Sequence, residues 1–458
     1  MAKAFTLEPR KVPPVETKHR TICTPIPVPE SIPIFEALRK GEPQSMQGQP
    51  LILWDHAQGM YVHDRFGNRW LDFSSGVLVA SAGHARQEIV DAVVKTAQAP
   101  MLHSYCFANE PRVKLIAKLT ELAPAGLKTC MLLTTGSEAI ECALKLAFTW
   151  ARKIDPQKNV IVSFQGDFHG RTLGSQLAGG IPGLKGWIPN DQSLYVNAPW
   201  PGDMRVKDKS FAGFEKALAD RKIDPQRVAA VLFETYQGGN VGFMPLDYAS
   251  QLKAWANKHG ALVIADEVQA GFGRTGKRFG FEHYKFTPDL AVFGKGISSS
   301  LPLSAVLGRT DVMNLYGPNE MTSTHTGNPI CCAAALANLD LIVGEQLAER
   351  AAELEPVMMA EIEKLKTKYP QHIGAVQGRG LVSAIQCVKP GTDLEPHADL
   401  AWEVVRGCVE SGLMLFAPVG FGGSSVKISP PLICTKEQLL EGLGVIAAQF
   451  ELALKKKD

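Results

Sequence analysis

The segment Phe293-Gly-Lys-Gly-Ile297 holds one lysine between two glycines, directly after an apolar run. An amine held against such a desolvated wall has a lowered pKa and can form an imine with a carbonyl compound. The segment is not a Walker phosphate loop. No glycine lies five residues before Gly294, and no Ser or Thr follows Lys295. Three further segments carry chemistry that fits an imine-forming lysine. In Ala265-Asp-Glu-Val-Gln269, Asp266 closes a buried strand and demands a cation or a donor, such as a protonated ring nitrogen. Gln269 of the same segment can donate to a ring oxygen. In Thr134-Thr-Gly-Ser-Glu-Ala139, Gly136 permits a tight turn, and Ser137 stands at a helix N-terminus whose free N–H groups suit a phosphate. In Phe168-His-Gly-Arg-Thr172, the aromatic can stack on a planar ring and Arg171 can grip a carboxylate in its fork. Taken singly, each segment also has a purely structural explanation. These are a surface lysine in a glycine turn, a capping aspartate, an N-cap made by Ser137 with Glu138 in the first turn, and a core aromatic beside a surface arginine.

The elements that must position these residues follow from hydrophobic periodicity. Apolar runs at Thr129–Leu133, Val160–Phe164, Val228–Phe233, Ala261–Ala265, Leu290–Phe293 and Leu303–Leu307 read as strands. Amphipathic stretches lie between them, such as Glu138–Lys153 with Ile140, Ala143, Leu144, Ala147 and Trp150 at helical spacing. This alternation predicts an α/β fold whose mostly parallel sheet carries helices on both faces. Ligands bind such sheets at the carboxyl ends of the strands, where all four segments fall. Residues 1 to about 45 contain eight prolines and are expected to form an extended arm. Met60 to Phe73 reads as a hairpin turning at Gly67-Asn68. From about residue 340 the rhythm becomes that of an α+β lobe: helix near Gln346–Lys368, strands within Ala375–Gln386 and Val426–Ser429, and a last helix opened by the capping box Thr435-Lys-Glu-Gln438. That helix ends in the basic tail Lys455-Lys456-Lys457, which suits the helix dipole.

Composition removes several function classes. With 458 residues, 45% of them hydrophobic, the chain can bury a large core, and its length suggests one big domain plus a smaller one, or two to three modules. Lysine and arginine number 48 against 46 acids, so no net field favours nucleic acid or an anionic membrane. Nine cysteines without a C-x-x-C pair read as reduced, buried thiols, not as a disulfide frame or a zinc site, and no metal is expected. No apolar run is long enough to span a bilayer, and no signal-peptide core is seen. A soluble, cytoplasmic protein is expected.

The segments in this order resemble the class-III (omega) aminotransferases, pyridoxal 5'-phosphate enzymes of fold type I. The resemblance runs from about Gly59 to Leu432. It rests on the four segments above together with Glu234 and Gln237-Gly238, and with Thr324-His-Thr-Gly-Asn-Pro329. It implies a large cofactor-binding domain at 76–335, with a mostly parallel sheet of the seven-stranded type, and a smaller α+β domain built from both chain ends, 1–75 and 336–458. By resemblance, Lys295 is the lysine that holds the cofactor as a Schiff base and shuttles the substrate proton. Asp266 keeps the pyridine nitrogen protonated, so that the ring acts as an electron sink. Gln269 contacts the phenolic oxygen, Val268 packs on one ring face and Phe168 on the other. Gly136 and Ser137 hold the phosphate, and His169 and Glu234 belong to the same cofactor set. Thr324 matches a threonine that reaches the phosphate of the neighbouring subunit, which implies a homodimer or a dimer of dimers.

Two positions depart from the pattern of the 4-aminobutyrate-type members. Val426-Lys-Ile-Ser-Pro-Pro-Leu432 places Lys427 where those members bind the α-carboxylate of a 2-oxo acid with an arginine. Lysine brings charge without the planar fork. Glu234-Thr-Tyr-Gln-Gly-Gly239 has Gly239 where the glutamate that screens this arginine is expected. Arg171 is retained and suits an anionic group far from the reacting amine. The expected activity is therefore ping-pong transfer of an amino group from an ω-amino acid or related amine to a 2-oxo acid, pyruvate or 2-oxoglutarate. The alternatives are a lyase, racemase or decarboxylase of the same family, acting on an amino acid or phosphorylated amino alcohol, or a non-catalytic nucleotide or metabolite binder on a doubly wound fold.

Overall fold

In a computed structural model, which describes residues 4–189 and 193–455, the chain forms two compact units. One is Gln87–Glu349; the other combines the chain ends, up to Arg86 and from Arg350.

The unit Gln87–Glu349 is built on seven strands: β1 (Thr129–Leu133), β2 (Val160–Phe164), β3 (Tyr195–Ala198), β4 (Val228–Glu234), β5 (Leu262–Asp266), β6 (Leu290–Phe293) and β7 (Ser304–Gly308). They lie in the order β1-β7-β6-β5-β4-β2-β3. All neighbours pair in parallel except β7, which runs antiparallel to β6 and β1. The sheet is mostly parallel, and its central strands are apolar throughout because both faces are covered. Val228 to Phe233 are each 0% exposed. Helices α1 (Gln87–Gln98), α2 (Glu110–Leu122), α3 (Gly136–Ile154), α4 (Leu246–Lys258) and α5 (Pro329–Gly344) belong to this unit. On α3, Ala139, Ile140, Ala143, Leu144 and Ala147 recur at helical spacing and pack against Ala230, Leu232, Ile264 and Val292 of the sheet. Each fully buried Ile or Leu in this layer contributes about 1.5–3 kcal/mol. Helix α5 is apolar nearly all round and packs against α1 and α2. That packing places it in the same compact unit as the sheet, Gln87–Glu349. Strand β3 was not anticipated. It is a four-residue edge strand interrupted by Asn197, whose amide donates to the Ser163 hydroxyl at 2.7 Å.

The unit of the chain ends contains the expected hairpin. Tyr61–His63 pairs antiparallel with Arg69–Asp72, and Gly67 takes a φ of 93° in the turn. Leu413–Met414 adds to Arg69–Asp72 in parallel, which ties the C-terminal segment to the N-terminal one. Ile373–Arg379, Val382–Cys387 and Ser425–Ile428 form an antiparallel sheet of their own. Ala398–Glu410 packs on the last helix, Lys436–Lys455. The capping box is formed: Gln438 N–H donates to Thr435 Oγ1 at 3.2 Å, and Thr435 N–H to Gln438 Oε1 at 2.9 Å. Of the basic tail only Lys455 is described; Lys456 and Lys457 lie outside the described residues. The expectation of a wholly extended arm needs correction, because Ile32–Gly41 is an α-helix. Pro33 sits in its first turn, where no N–H is needed, and no further proline follows until Pro43. Among the described residues, no single helix is long and apolar enough to cross a membrane.

Candidate active site

Parallel register brings the chemistry-bearing residues to one edge of the sheet. Asp266 ends β5 directly opposite Glu234, the last residue of β4, and opposite Val292 of β6. Lys295 follows β6 by two residues, and Phe168 and His169 follow β2. These residues, with Gly136, Ser137, Val268 and Gln269, line one cavity of about 210 Å³. Nine of the ten cofactor residues expected from the sequence therefore meet at this cavity, and Thr324 does not line it.

The N-terminus of α3 forms one wall. Its cap is Thr135, not Ser137. Thr135 has extended φ/ψ, and its hydroxyl accepts the Glu138 N–H at 3.3 Å. Glu138 folds back to accept from the Thr134 N–H at 2.9 Å and from the Thr134 hydroxyl. Burial raises the Glu138 pKa, but these hydrogen bonds win and hold it below the usual value. With capping done by its neighbours, the Ser137 hydroxyl faces the cavity, where it accepts the Arg171 N–H at 3.3 Å. The first N–H groups of the helix have no intrahelical acceptor, and the dipole favours an anion there. A side chain at Gly136 would stand 3.0 Å from a Val268 methyl and close this cradle.

The opposite part of the cavity is acidic and buried. Asp266 Oδ1 accepts the Val268 N–H at 3.0 Å, and Oδ2 lies 2.8 Å from His169 Nδ1. Glu234 accepts the Phe168 N–H at 3.0 Å and the Gly238 N–H at 3.2 Å. Burial, followed by the charges of Asp167 and Asp266, pushes its carboxyl up to about 8. Burial opposes a charge on His169, yet the two carboxylates beside it, Asp167 and Asp266, hold the imidazole up to about 10. Glu267 turns away from the cavity to accept the Gly280 and Phe281 N–H groups at 2.7 Å each, and burial raises it to about 7. The Tyr236 hydroxyl donates to Gln269 Oε1 at 3.4 Å.

Lys295 has a φ of 44°, a left-handed conformation that is costly for a residue with a side chain and characteristic of functional sites. A side chain at Gly294 would stand 3.3 Å from a Val268 methyl. Among the described residues its ammonium has no hydrogen bond and no carboxylate within 4.0 Å. Burial lowers its pKa, opposed by the charges of Asp266 and Glu234.

The remaining expected residues are less central. Arg171 is exposed, with its guanidinium 5.5 Å from the Phe168 ring centroid. Thr324 is exposed in a loop anchored by Ser323 to Glu138 at 2.9 Å and by Thr326 to the Leu132 carbonyl at 2.7 Å. Lys427 is buried in Ser425–Ile428, in the unit of the chain ends. Sequence reasoning missed Asp167, which is fully buried beside His169, and it missed the capping role of Thr135. The Asp-Phe-His order just past β2 was the available signal for Asp167.

The residues present fit pyridoxal phosphate: an anion cradle at α3, an aromatic and a valine on the walls, a buried carboxylate for the ring nitrogen, and an amine. Comparison with known proteins points the same way. The model of the family "Aminotransferase class-III" matches residues 44–450. The 4-aminobutyrate aminotransferase of Mycobacterium leprae is 31% identical over 443 residues, which covers 93% of this chain and 97% of that protein. The 5-aminovalerate aminotransferase of Pseudomonas putida is 33% identical over 408 residues, covering 87% and 93%. A solved structure, the (S)-enantioselective omega-transaminase of Thermomicrobium roseum, superposes with a TM-score of 0.83 at 25% identity, covering 92% of this chain and 98% of that one. With a lysine, an aspartate and a phosphate cradle at the strand ends of a fold shared over nearly the whole length, this chain belongs to the class-III aminotransferases, enzymes of fold type I that depend on pyridoxal phosphate.

Proposed function

We propose that this enzyme moves an amino group from an ω-amino acid or a related amine to a 2-oxo acid, pyruvate or 2-oxoglutarate, by a ping-pong mechanism. The observation that carries the reading is Lys295, an amine with no ion-pair partner among the described residues, lining the same cavity as Asp266. Relatives that act on 4-aminobutyrate and 5-aminovalerate support the substrate class. When bound, pyridoxal phosphate supplies the electron sink for breaking the Cα–H bond of the amine substrate. The first-turn N–H groups of α3 and the Ser137 hydroxyl bind the phosphate. Asp266 would hold a proton on the ring nitrogen, Gln269 would donate to the phenolic oxygen, and Phe168 and Val268 would enclose the ring and exclude water. Lys295 Nζ, with its basicity lowered by burial, would be the residue that holds the cofactor and the base that takes the substrate Cα proton and gives it back. Arg171, stacked by Phe168 at the rim, receives the distal anion of the substrate, and Lys427 is a second candidate for carboxylate binding.

The working unit is a homodimer or a dimer of dimers. Thr324 is exposed and does not line the cavity of its own chain. Its loop is tied through Asn328 to the carbonyl of Leu102 at 2.8 Å, and the Leu102 side chain is 61% exposed. A second copy contacting this surface brings Thr324 to the neighbouring phosphate.

Visible absorption of the protein loaded with cofactor tests the chemistry. An ω-amino donor added without oxo acid is expected to remove the band of the lysine-bound cofactor and to yield one equivalent of carbonyl product per site. A band that persists while product or ammonia accumulates beyond one equivalent favours the second reading, a lyase or racemase of the same family, for which Lys427 and Gly239 speak. Lys295→Ala is expected to abolish both band and turnover; a variant that retains the band rules out Lys295 as the attachment point.

A further inference from the structure

The His169 ring is completely buried and lies between two carboxylates. Nδ1 is 2.8 Å from Asp266 Oδ2, and an ionised carboxylate only accepts, so Nδ1 carries a hydrogen. Nε2 is buried without a hydrogen-bond partner and faces Asp167 Oδ2 at 3.5 Å. A neutral ring with its hydrogen on Nδ1 would point the Nε2 lone pair at a carboxylate oxygen in a site shielded from water. That arrangement is repulsive, so a proton belongs between Nε2 and Asp167. Two features place the proton on the ring. Imidazole is intrinsically more basic than a carboxylate. Burial raises the Asp167 pKa, but the facing imidazole and two donors, the Gln237 amide at 3.0 Å and the Phe164 N–H at 3.3 Å, favour its anion.

We propose that Asp167 is a positioning residue that holds His169 as an imidazolium, so that its Nδ1–H always points at Asp266 and keeps that carboxylate ionised and correctly turned. Asp167 is 0% exposed, so water cannot substitute for it. Glu234 is the remaining acid close to the trio, and its raised pKa keeps it protonated near neutral pH. The imidazolium then cancels one of the two ionised carboxylates. A single negative charge remains on the cavity side, which is the charge a protonated pyridine nitrogen requires. The charge arrangement is a property of the protein alone; its benefit to catalysis rests on the reading that Asp266 faces the ring nitrogen.

Imidazole ¹⁵N NMR of the cofactor-free protein across the neutral and mildly alkaline range tests the proposal directly. Wild type is expected to show one imidazolium that persists above about pH 8, where ordinary histidines are neutral. Asp167→Asn, which keeps the shape and offers an amide donor to Nε2, is expected to lose that signal. In the loaded enzyme the same variant is expected to lower kcat by about 10- to 100-fold, as for other supporting groups around a cofactor ligand, with KM nearly unchanged. Absence of a persistent imidazolium in wild type overturns the proposal whether or not the variant folds, as does an imidazolium unaltered in Asp167→Asn. If the NMR result holds but Asp266→Asn leaves the cofactor spectrum and affinity intact, the proton arrangement stands and the cofactor role of Asp266 fails.

Discussion

Glu234→Gln isolates the energetic cost of the buried acid cluster. Glu234 is 3% exposed, and its carboxyl is pushed from 4.5 to about 8 by burial and by the charges of Asp167 and Asp266. Its pKa is therefore higher in the folded than in the unfolded protein. The unfolded chain releases this proton near 4.5, whereas the folded protein keeps it until about 8. Stability linked to Glu234 is thus complete below 4.5, declines as pH rises from there, and is gone above about 8. The interval corresponds to a ceiling of about 5 kcal/mol, because the cost of a third negative charge is shared with the other two acids. Glutamine has the shape of the protonated acid and never takes up this charge. One of its two ends, however, must face either the Phe168 or the Gly238 N–H with an NH₂ group, a loss of about 1–3 kcal/mol. The variant should therefore be less stable than wild type in mild acid, and the difference should shrink or reverse as pH rises from about 4.5 to about 8, and stay constant beyond it. Thermal or urea unfolding of the cofactor-free protein at several pH values measures this. Parallel stability curves for the two proteins would refute the reasoning.

Two further perturbations follow from the same geometry. Gly136→Ala puts a methyl 3.0 Å from Val268 and crowds the anion cradle, so cofactor affinity, read by titration of the cofactor-free protein, should fall by about 10-fold while the melting temperature of that form changes little. Arg171→Met keeps the contact with Phe168 but removes the guanidinium, and should raise KM for anionic amine donors by about 10-fold or more, with amines lacking the distal anion unaffected. Equal effects on both kinds of donor would remove Arg171 from substrate recognition.

Much of the frame was legible in one dimension. The boundaries of β1, β2 and β6 coincide with their apolar runs, because strands covered on both faces must be apolar throughout. Lys295, Asp266 and Ser137 were recognisable because each lies at a strand end or helix start, where glycine and polar residues interrupt an apolar run. Local hydrogen bonding was readable only in part. Thr435 and Gln438 cap as their spacing implies, whereas at α3 the choice between Thr135 and Ser137 depended on which residue takes extended backbone angles. The short edge strand β3 escaped notice because Asn197 breaks its apolar pattern.

The electrostatics of the site belong to tertiary structure. His169 and Asp266 are 97 residues apart in sequence. They meet because the loop after β2 reaches past the end of β4 to β5, and the sheet order places Glu234 between them. In the sequence, Asp167, Glu234 and Asp266 are three separate acids of ordinary type. Folding excludes water from all three and sets a single imidazole against two of them, so their protonation is decided jointly. Residue identity and spacing therefore revealed which groups the chain brings to the reaction. Strand order and burial decide which of those groups carry charge.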